Sequence, residues 1–304
     1  MTGQHALGVD VGGTKILAGV VDRHGEVVSS KERPTPVSSQ EELLAGLDEA
    51  VEELLDGNVE AIGFGICSTI DQRAGRAISS VHIPLHDIDF RDRMKDRFGL
   101  PVGIDNDGNA AAIAEWKLGA GQAASHIVAL TLGTGIGGGL ILDDRPYRGS
   151  IGAGAELGHI VLDYGGAPCG GHCSGHGHFE AFAAGSAADE AAEARFGAGS
   201  NGKTLVDAAL EGDQGAKEDL AELGRHLGAG IASLVNIFNP ELVILGGGFS
   251  RAGDLILSSA RETLAVEALR PGRDLVRLVP AHFGPEAGMI GAALVGFEAL
   301  DTRG

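Results

Sequence analysis

Short apolar runs broken by glycine clusters organise the chain. Residues 6–11 and 16–21 are apolar runs separated by Gly12-Gly13-Thr14-Lys15; a polar turn at 22–25 and a third strand-like stretch at 26–29 follow. This reads as strand, glycine turn, strand, turn, strand. Pro34 and Pro36 then interrupt the pattern. Ser39 with Glu42 forms a capping-box signature, and Leu43, Leu47, Ala50, Val51 and Leu54 recur at helical spacing, with Gly57 as the expected C-cap. Runs at 61–67 and 101–104 predict buried strands. The second leads into Asp105-Asn106-Asp107-Gly108-Asn109 and an alanine-rich helix over 110–118.

The opening motif then returns in altered form. Residues 127–132 predict a strand, 133–139 (Gly-Thr-Gly-Ile-Gly-Gly-Gly) a glycine turn, and 140–142 a strand again. The stretch 149–185 is rich in Gly, His and Cys and carries little periodicity. Leu220, Leu223, Leu227, Ile231, Leu234 and Phe238 trace one face of a long helix ending at Asn239-Pro240. A strand at 242–245 opens into Gly246-Gly247-Gly248, and a small-residue apolar helix over about 288–300 closes the chain.

Composition narrows the possibilities. With 42 acidic and 23 basic side chains the net charge is −19, so a sequence-independent nucleic-acid partner and an anionic membrane are both excluded as expectations. No apolar run approaches the roughly 20 residues of a membrane span, and residues 1–9 lack a signal-peptide pattern. Three cysteines are too few for a disulfide framework, which points to a reducing cytoplasm. Glycine supplies 50 of 304 residues, well above the usual share of about 7%, so backbone must approach something closely at the clusters.

Asp10-Val11-Gly12-Gly13-Thr14-Lys15 sets bare backbone amides beside one carboxylate. Such amides bind anionic oxygens, and a neighbouring Asp can hold hydrated magnesium. The spacing matches neither a P-loop nor a dinucleotide fingerprint. A tight hairpin with left-handed glycines would account for one glycine, but not for the Asp, Thr and Lys as well. Gly133-Thr134-Gly135 at the matching place in the second half points to a phosphate-bearing ligand. Asn106-Asp107 lies where open α/β sheets place ligand-facing groups, although such a pair also serves as a helix cap. Glu156, His159 and Glu180 add the hydrogen-bonding groups that sugar hydroxyls need.

Together these residues resemble the ROK family of sugar kinases and repressors. The resemblance runs from Asp10 to Lys15, through Asn106-Asp107, residues 133–139, Glu156-Leu157-Gly158-His159 and Glu180, to Asn239-Pro240-Glu241 and residues 246–248. It ends at Glu286-Ala287-Gly288-Met289. It implies an α/β, two-lobed actin-like (ribonuclease H-like) sugar-kinase fold with a duplicated βββαβα core. The implied lobes are a small one over 1–112, to which helix 288–304 returns, and a large one over 113–287. The implied activity is transfer of the terminal phosphoryl group of MgATP to a hexose, glucose to glucose 6-phosphate first. A fructokinase, an N-acetylhexosamine kinase and a non-catalytic sugar-binding regulator are the alternatives. Polyphosphate is a less suitable donor for so acidic a chain. Repressor members carry an N-terminal helix-turn-helix for which Asp10 leaves no room, which favours a kinase. A homodimer or homotetramer is expected.

By the same resemblance Asp107 is the general base, and Asn106, Asp107, Glu156, His159 and Glu180 contact the sugar. Asp10, Gly12, Gly13, Thr14, Lys15, Gly133, Thr134 and Gly135 face the phosphates, and Gly246, Gly247 and Gly248 the nucleoside. The family's structural zinc is held by one His and three Cys. This chain departs within 159–180: anchored on Glu180, His178 stands in for the third Cys. The expected ligands are His159, Cys169, Cys173 and His178, a Cys₂His₂ set sound for zinc, with His172 and His176 as competitors. A closed site of that kind leaves little room for hydrolytic water. Sugar-lining segments depart too: Ile66-Cys67-Ser68 replaces Val-Pro-Gly, and Val81-His82-Ile83-Pro84 replaces Pro-Asn-Leu. Cys67 reads as a small buried residue at a strand end.

Overall fold

A computed structural model describes residues 4–170 and 173–302. The chain opens with β1 (His5–Val11), β2 (Lys15–Asp22) and β3 (Val27–Pro34), followed by α1 (Gln40–Glu52) and β4 (Val59–Ile66). A small ribbon follows, of β5 (Thr69–Asp71), β6 (Arg76–Ser79) and β7 (His86–Ile88). Next come α2 (Phe90–Phe98), β8 (Val102–Asn106) and α3 (Asp107–Leu118). The second half contains β9 (Ile127–Leu132), β10 (Ile136–Leu142), β11 (Arg145–Pro146), α4 (Phe179–Ala183), α5 (Gly185–Phe196), α6 (Gly202–Glu211) and α7 (Gln214–Phe238). It ends with β12 (Leu242–Gly246), α8 (Asp254–Glu267), α9 (Gly272–Leu275), β13 (Arg277–Pro280) and α10 (Ala287–Asp301).

The first sheet has the order β3-β2-β1-β4-β8 and the second β11-β10-β9-β12-β13. In each, three consecutive strands lie side by side and two further strands continue the sheet from the first of the three. In the first sheet β4 and β8 run parallel to β1; in the second β12 runs parallel to β9, and β13 to β12. The duplicated strand plan expected from the two glycine motifs is therefore present.

The chain forms two compact units. One holds residues up to Ala123, Gly139–Ala155 and everything from His282; the other holds Ala124–Gly138 and Glu156–Ala281. In the first, β1 is covered on both faces. Leu7, Val9 and Val11 join Leu43, Leu47, Phe64 and Phe90 in one core, while Ala6 joins Ala61, Met289, Ile290, Ala293 and Phe297 in another. That two-sided burial is why residues 6–11 form a continuous apolar run. α10 lies so close on the sheet that a side chain on Gly63 would strike the Ala292 carbonyl. In the second unit α7 has the buried face traced by its leucines, begins on the Asp213 cap (Ala216 N donates to Oδ1 at 2.8 Å) and stops at left-handed Asn239.

Several boundaries differ from the sequence reading. β3 continues to Pro34 because its polar residues 29–33 pair along the exposed outer edge of β2, with Lys15 opposite Pro34. Pro34 therefore ends an edge strand, where its missing N–H costs nothing. α1 ends at Glu52, not near Gly57, and its Ser39 cap accepts from Glu42 N at 3.1 Å. The Glu42 carboxylate takes the Ser38 hydroxyl instead of closing the box. α3 starts at Asp107 rather than Ala110.

Candidate active site

In the first unit the β1–β2 hairpin carries Asp10 at the end of β1 and turns through Gly12-Gly13-Thr14. Gly12 N donates to Lys15 O at 3.0 Å, and the Thr35 hydroxyl donates to Gly12 O at 2.7 Å. Neither Gly12 nor Gly13 adopts positive φ. Their value is close access: a Cβ on Gly13 would lie 3.2 Å from the His82 Cβ. Lys15 Nζ is paired with Glu32 Oε2 at 2.7 Å on the exposed side of the hairpin. Asp10 is crowded by Gly288 of α10, where a Cβ would lie 2.6 Å from its carboxylate. Burial, then repulsion from Asp107, raise the Asp10 carboxyl to about 7, with Lys15 pulling it down.

Two carboxylates flank Asn106, and the structure distinguishes them. Asp105 is fully buried and committed: Arg148 Nε donates to Oδ2 at 2.6 Å, and Asn109 Nδ2 and Asn106 N donate to Oδ1 at 3.0 and 2.9 Å. Asp107 opens α3. Burial lifts its carboxyl above the ordinary range, while the amides of Gly108 and its own residue, the charge of His82 and the Asn106 side chain draw it back. Asn106 is also the cap of α3, accepting from Gly108 N at 2.9 Å and Asn109 N at 3.3 Å. Capping and ligand-facing position coincide in this residue, its Nδ2 reaching Ser68 O at 3.4 Å.

The second unit brings most of its predicted residues together, with Glu156 exposed beside them. Gly133-Thr134-Gly135 closes tightly, Gly133 N donating to Gly135 O at 2.9 Å, and the first amides of α5 brace it through Gly185 N to Gly133 O at 2.8 Å. Beside it Gly247, at φ +85°, sits against the Leu132 backbone, which excludes any side chain. The two glycine turns thus lie next to each other at the ends of parallel β9 and β12. Glu180 holds the first of them, its Oε2 accepting from Ile136 N at 2.7 Å. Glu156 is exposed just before a turn of 3₁₀ helix, Leu157–His159, and its carbonyl accepts from His159 N at 3.1 Å.

His159, Cys169, Cys173 and His178 converge, with their ligand atoms all within 4.8 Å of one another. The two Nδ1 atoms are 3.2 Å apart, and each contacts one sulfur at 3.6 Å. A tetrahedral zinc with bonds of about 2.0–2.1 Å to nitrogen and about 2.3 Å to sulfur requires N···N near 3.3 Å and N···S near 3.6 Å. The four residues therefore fit the metal. Burial, then the Cys173 thiol, push the Cys169 thiol up to about 12, so a bound metal would have to displace its proton. His176 is exposed and lies outside the cluster, its backbone bridged to Pro168. His172 lies outside the described residues. Glu180 Oε1 is 3.9 Å from Cys169 Sγ, so one carboxylate touches both the cluster and the glycine turn.

Two residues near Asp107, Cys67 and His82, lie in the segments that depart from the family pattern and have no catalytic or binding role from the sequence alone. Cys67 N donates to Val11 O at 3.1 Å; burial, then Asp107 and Asp10, drive its thiol pKa well above the usual value. His82 lies over Gly13 and acts on Asp107 through its charge. The motif comparison marks each segment but does not join them; the link is the Ser80 hydroxyl, which donates to the Cys67 carbonyl.

The sequence profile of the ROK family matches residues 6–297. A glucokinase of Streptomyces coelicolor is 35% identical over 309 aligned positions, which cover 94% of this chain and 96% of the relative. A glucokinase of Thermotoga maritima is 34% identical over 306 positions, covering 95% and 96%. The crystal structure of a ROK family glucokinase from Streptomyces griseus in complex with glucose and AMPPNP matches with a TM-score of 0.86 at 35% identity, covering 97% of this chain and 99% of that one.

Proposed function

We propose that this chain, which belongs to the ROK family, transfers the γ-phosphoryl group of ATP to glucose, giving glucose 6-phosphate and ADP. The observation that carries the reading is the full-length likeness to glucokinases, one of them solved with glucose and an ATP analogue. The geometry of the site residues supports it. A substrate supplied as ATP supports a reaction in the cytoplasm. Among the described residues no helix is long and apolar enough to cross a membrane.

Asp107 is the general base. Burial raises its carboxyl above the ordinary carboxylate range, which strengthens it as a proton acceptor, and the neighbouring Asp105 is already spent on Arg148. In the transfer a sugar hydroxyl oxygen bonds to Pγ while the bond from Pγ to the bridging oxygen breaks. That electron pair leaves with ADP, and the hydroxyl proton passes to Asp107. Asn106, Glu156, His159 and Glu180 hold the sugar; His159 would use its Nε2, since Nδ1 faces the cluster. The amides of Gly12, Gly13, Thr14 and Lys15 and those of Gly133, Thr134 and Gly135 take phosphate oxygens, and Gly246, Gly247 and Gly248 face the nucleoside. Asp10, ionised, would hold the magnesium that accompanies ATP. His159, Cys169, Cys173 and His178 would hold a structural zinc, which supplies ordering energy to a loop with little apolar area of its own.

ADP release should be followed by a coupled assay with ATP across glucose, fructose, N-acetylglucosamine and N-acetylmannosamine. Glucose is expected to give the highest kcat/KM, by about tenfold or more. Preference for an N-acetylated sugar or for fructose would reassign the substrate to the departures at 66–68 and 81–84. Release with none of them would overturn the reading.

A further inference from the structure

His82 stands in a segment whose backbone is fixed and whose side chain is exposed. The Ser80 hydroxyl donates to Cys67 O at 2.5 Å and accepts from His82 N at 3.1 Å and Ile83 N at 3.2 Å. Ile83 and Leu85 anchor the same segment in the core, at 5% and 1% exposure. A single hydroxyl thus ties the end of β4 to the loop between β6 and β7 and presents the imidazole at a set place.

That place has two neighbours of opposite role. One is the Gly12-Gly13 turn, with Gly13 directly beneath the His82 Cβ. The other is Asp107, on which His82 acts electrostatically. On the reading above the donor phosphate rests at the turn and the acceptor hydroxyl at Asp107, so the phosphoryl group travels from one to the other. A residue packed on the turn and close enough to Asp107 to act on its charge stands beside that path. We infer that His82 is a further catalytic residue of this chain, donating an imidazole hydrogen bond to an oxygen of the phosphoryl group in transfer. The bond changes no proton count: the hydroxyl proton still goes to Asp107 and the electron pair still leaves with ADP. Its value is greatest in the transition state, where charge gathers on those oxygens. The inference rests on the assignment of Asp107 and the first glycine turn.

The titratable groups that act on Asp107 or feel its charge are His82 itself, Asp10 from β1 and Cys67 after β4, while Lys15 from β2 acts on Asp10 and is paired with Glu32 on the exposed side of the hairpin. The His82 imidazole acts on the Asp107 carboxyl through its charge. Its charge in turn favours the ionised form of Asp107, so loss of the imidazole should move the acidic limb of the rate profile to higher pH.

The test compares wild type, His82→Ala and His82→Gln with ATP and glucose, after wild-type turnover has been established. His82→Ala is expected to lower kcat by about 10- to 100-fold with KM for glucose within about twofold, and to shift the acidic limb upward. His82→Gln, which keeps a donor but no charge, should recover much of kcat while the limb stays shifted. Because the side chain is exposed, both variants should melt within a few degrees of wild type; if one fails to fold, the other carries the test. Unchanged kcat and pH limb in a folded variant overturns the inference. So does a rise in glucose KM with kcat preserved, which would make His82 a sugar contact. Wild type that releases no ADP with glucose would fail the proposed function instead, which separates the two outcomes.

Discussion

A single position can carry a structural and a chemical task at once, and Asn106 is the instance here. Its side chain caps α3 as the cap reading of the sequence expected, and the same bond fixes Asp107 in the first turn. In the sequence only the family resemblance singled out Asp107 over Asp105, because the partner that consumes Asp105 is Arg148, which local pattern does not connect to it. Asp107→Asn removes the proton acceptor but keeps shape, so kcat should fall about 10²–10⁴-fold while glucose and ATP still bind; equilibrium binding beside single-turnover rates checks this. Retention of near-full turnover would remove Asp107 from the mechanism. Asp10 gives a pH prediction with a definite sign. Its folded carboxyl is raised from 3.8 to about 7, so the folded state holds a proton that the unfolded chain has released. That contribution to stability is present at low pH and is lost as pH rises from about 4 to about 7. Magnesium needs the ionised form, so MgATP affinity should rise by up to tenfold per unit below pH 7 and level off above it. Calorimetric titration from pH 6 to 8 should show this slope in wild type and a flat profile in Asp10→Asn. A wild-type profile that is itself flat would detach Asp10 from the nucleotide.

At the scale of elements, what the sequence made legible is what local pattern controls. Apolar runs gave the buried strands, the leucine periodicity gave α7, and the four side chains that converge in the Cys/His loop were readable from spacing against a known family. Edge strand β3 was read short because its outer residues are polar and exposed, and only pairing with β2 reveals it. The β1–β2 turn needs glycine at Gly12 and Gly13 for close access rather than for handedness, which composition cannot distinguish. The bridge that Glu180 makes from the cluster to Ile136 was equally invisible, since it joins residues far apart in sequence. This bridge makes the loop a lever on both ligands. Protein purified without chelator should hold one zinc per chain by elemental analysis. Cys173→Ala should lose it and, through Glu180, weaken both glucose and ATP, while Asp107→Asn leaves metal content unchanged. Full activity after complete chelation, or no zinc at all, would leave the four side chains as an ordinary hydrogen-bonded loop.

For the whole molecule, the repeated glycine motif in the sequence corresponds to a repeated sheet plan. Three adjacent strands followed by two more occur in β3-β2-β1-β4-β8 and again in β11-β10-β9-β12-β13. Duplication was legible because each copy keeps its glycine turn after the first strand. The contribution of Gly139–Ala155 to the first unit was not, because it depends on contacts such as Arg148 with Asp105 and not on composition. Charge, by contrast, is a property of the whole that sequence gives directly, and it yields a prediction whose sign is contested between two effects. Exposed pairs such as Lys203–Asp207 and Arg225–Glu222 stabilise the fold, and salt weakens them. Each contributes only a few tenths of a kcal/mol. Against them stands self-repulsion from a net −19, which acts across the molecule and is also screened as the Debye length falls from about 10 Å at 0.1 M to about 3 Å at 1 M salt. With 42 acidic side chains and only 23 basic ones to pair with them, repulsion should dominate. The thermal midpoint at pH 7.5 should therefore climb by several degrees between low salt and about 0.5 M sodium chloride, at roughly 2–4 °C per kcal/mol for a chain of this size class. Calorimetry at a series of salt concentrations measures it, with magnesium and nucleotide left out so that ligand linkage does not contribute. A midpoint that falls with salt would mean that the ion pairs outweigh the repulsion and that the acidic excess is spread too thinly to strain the fold.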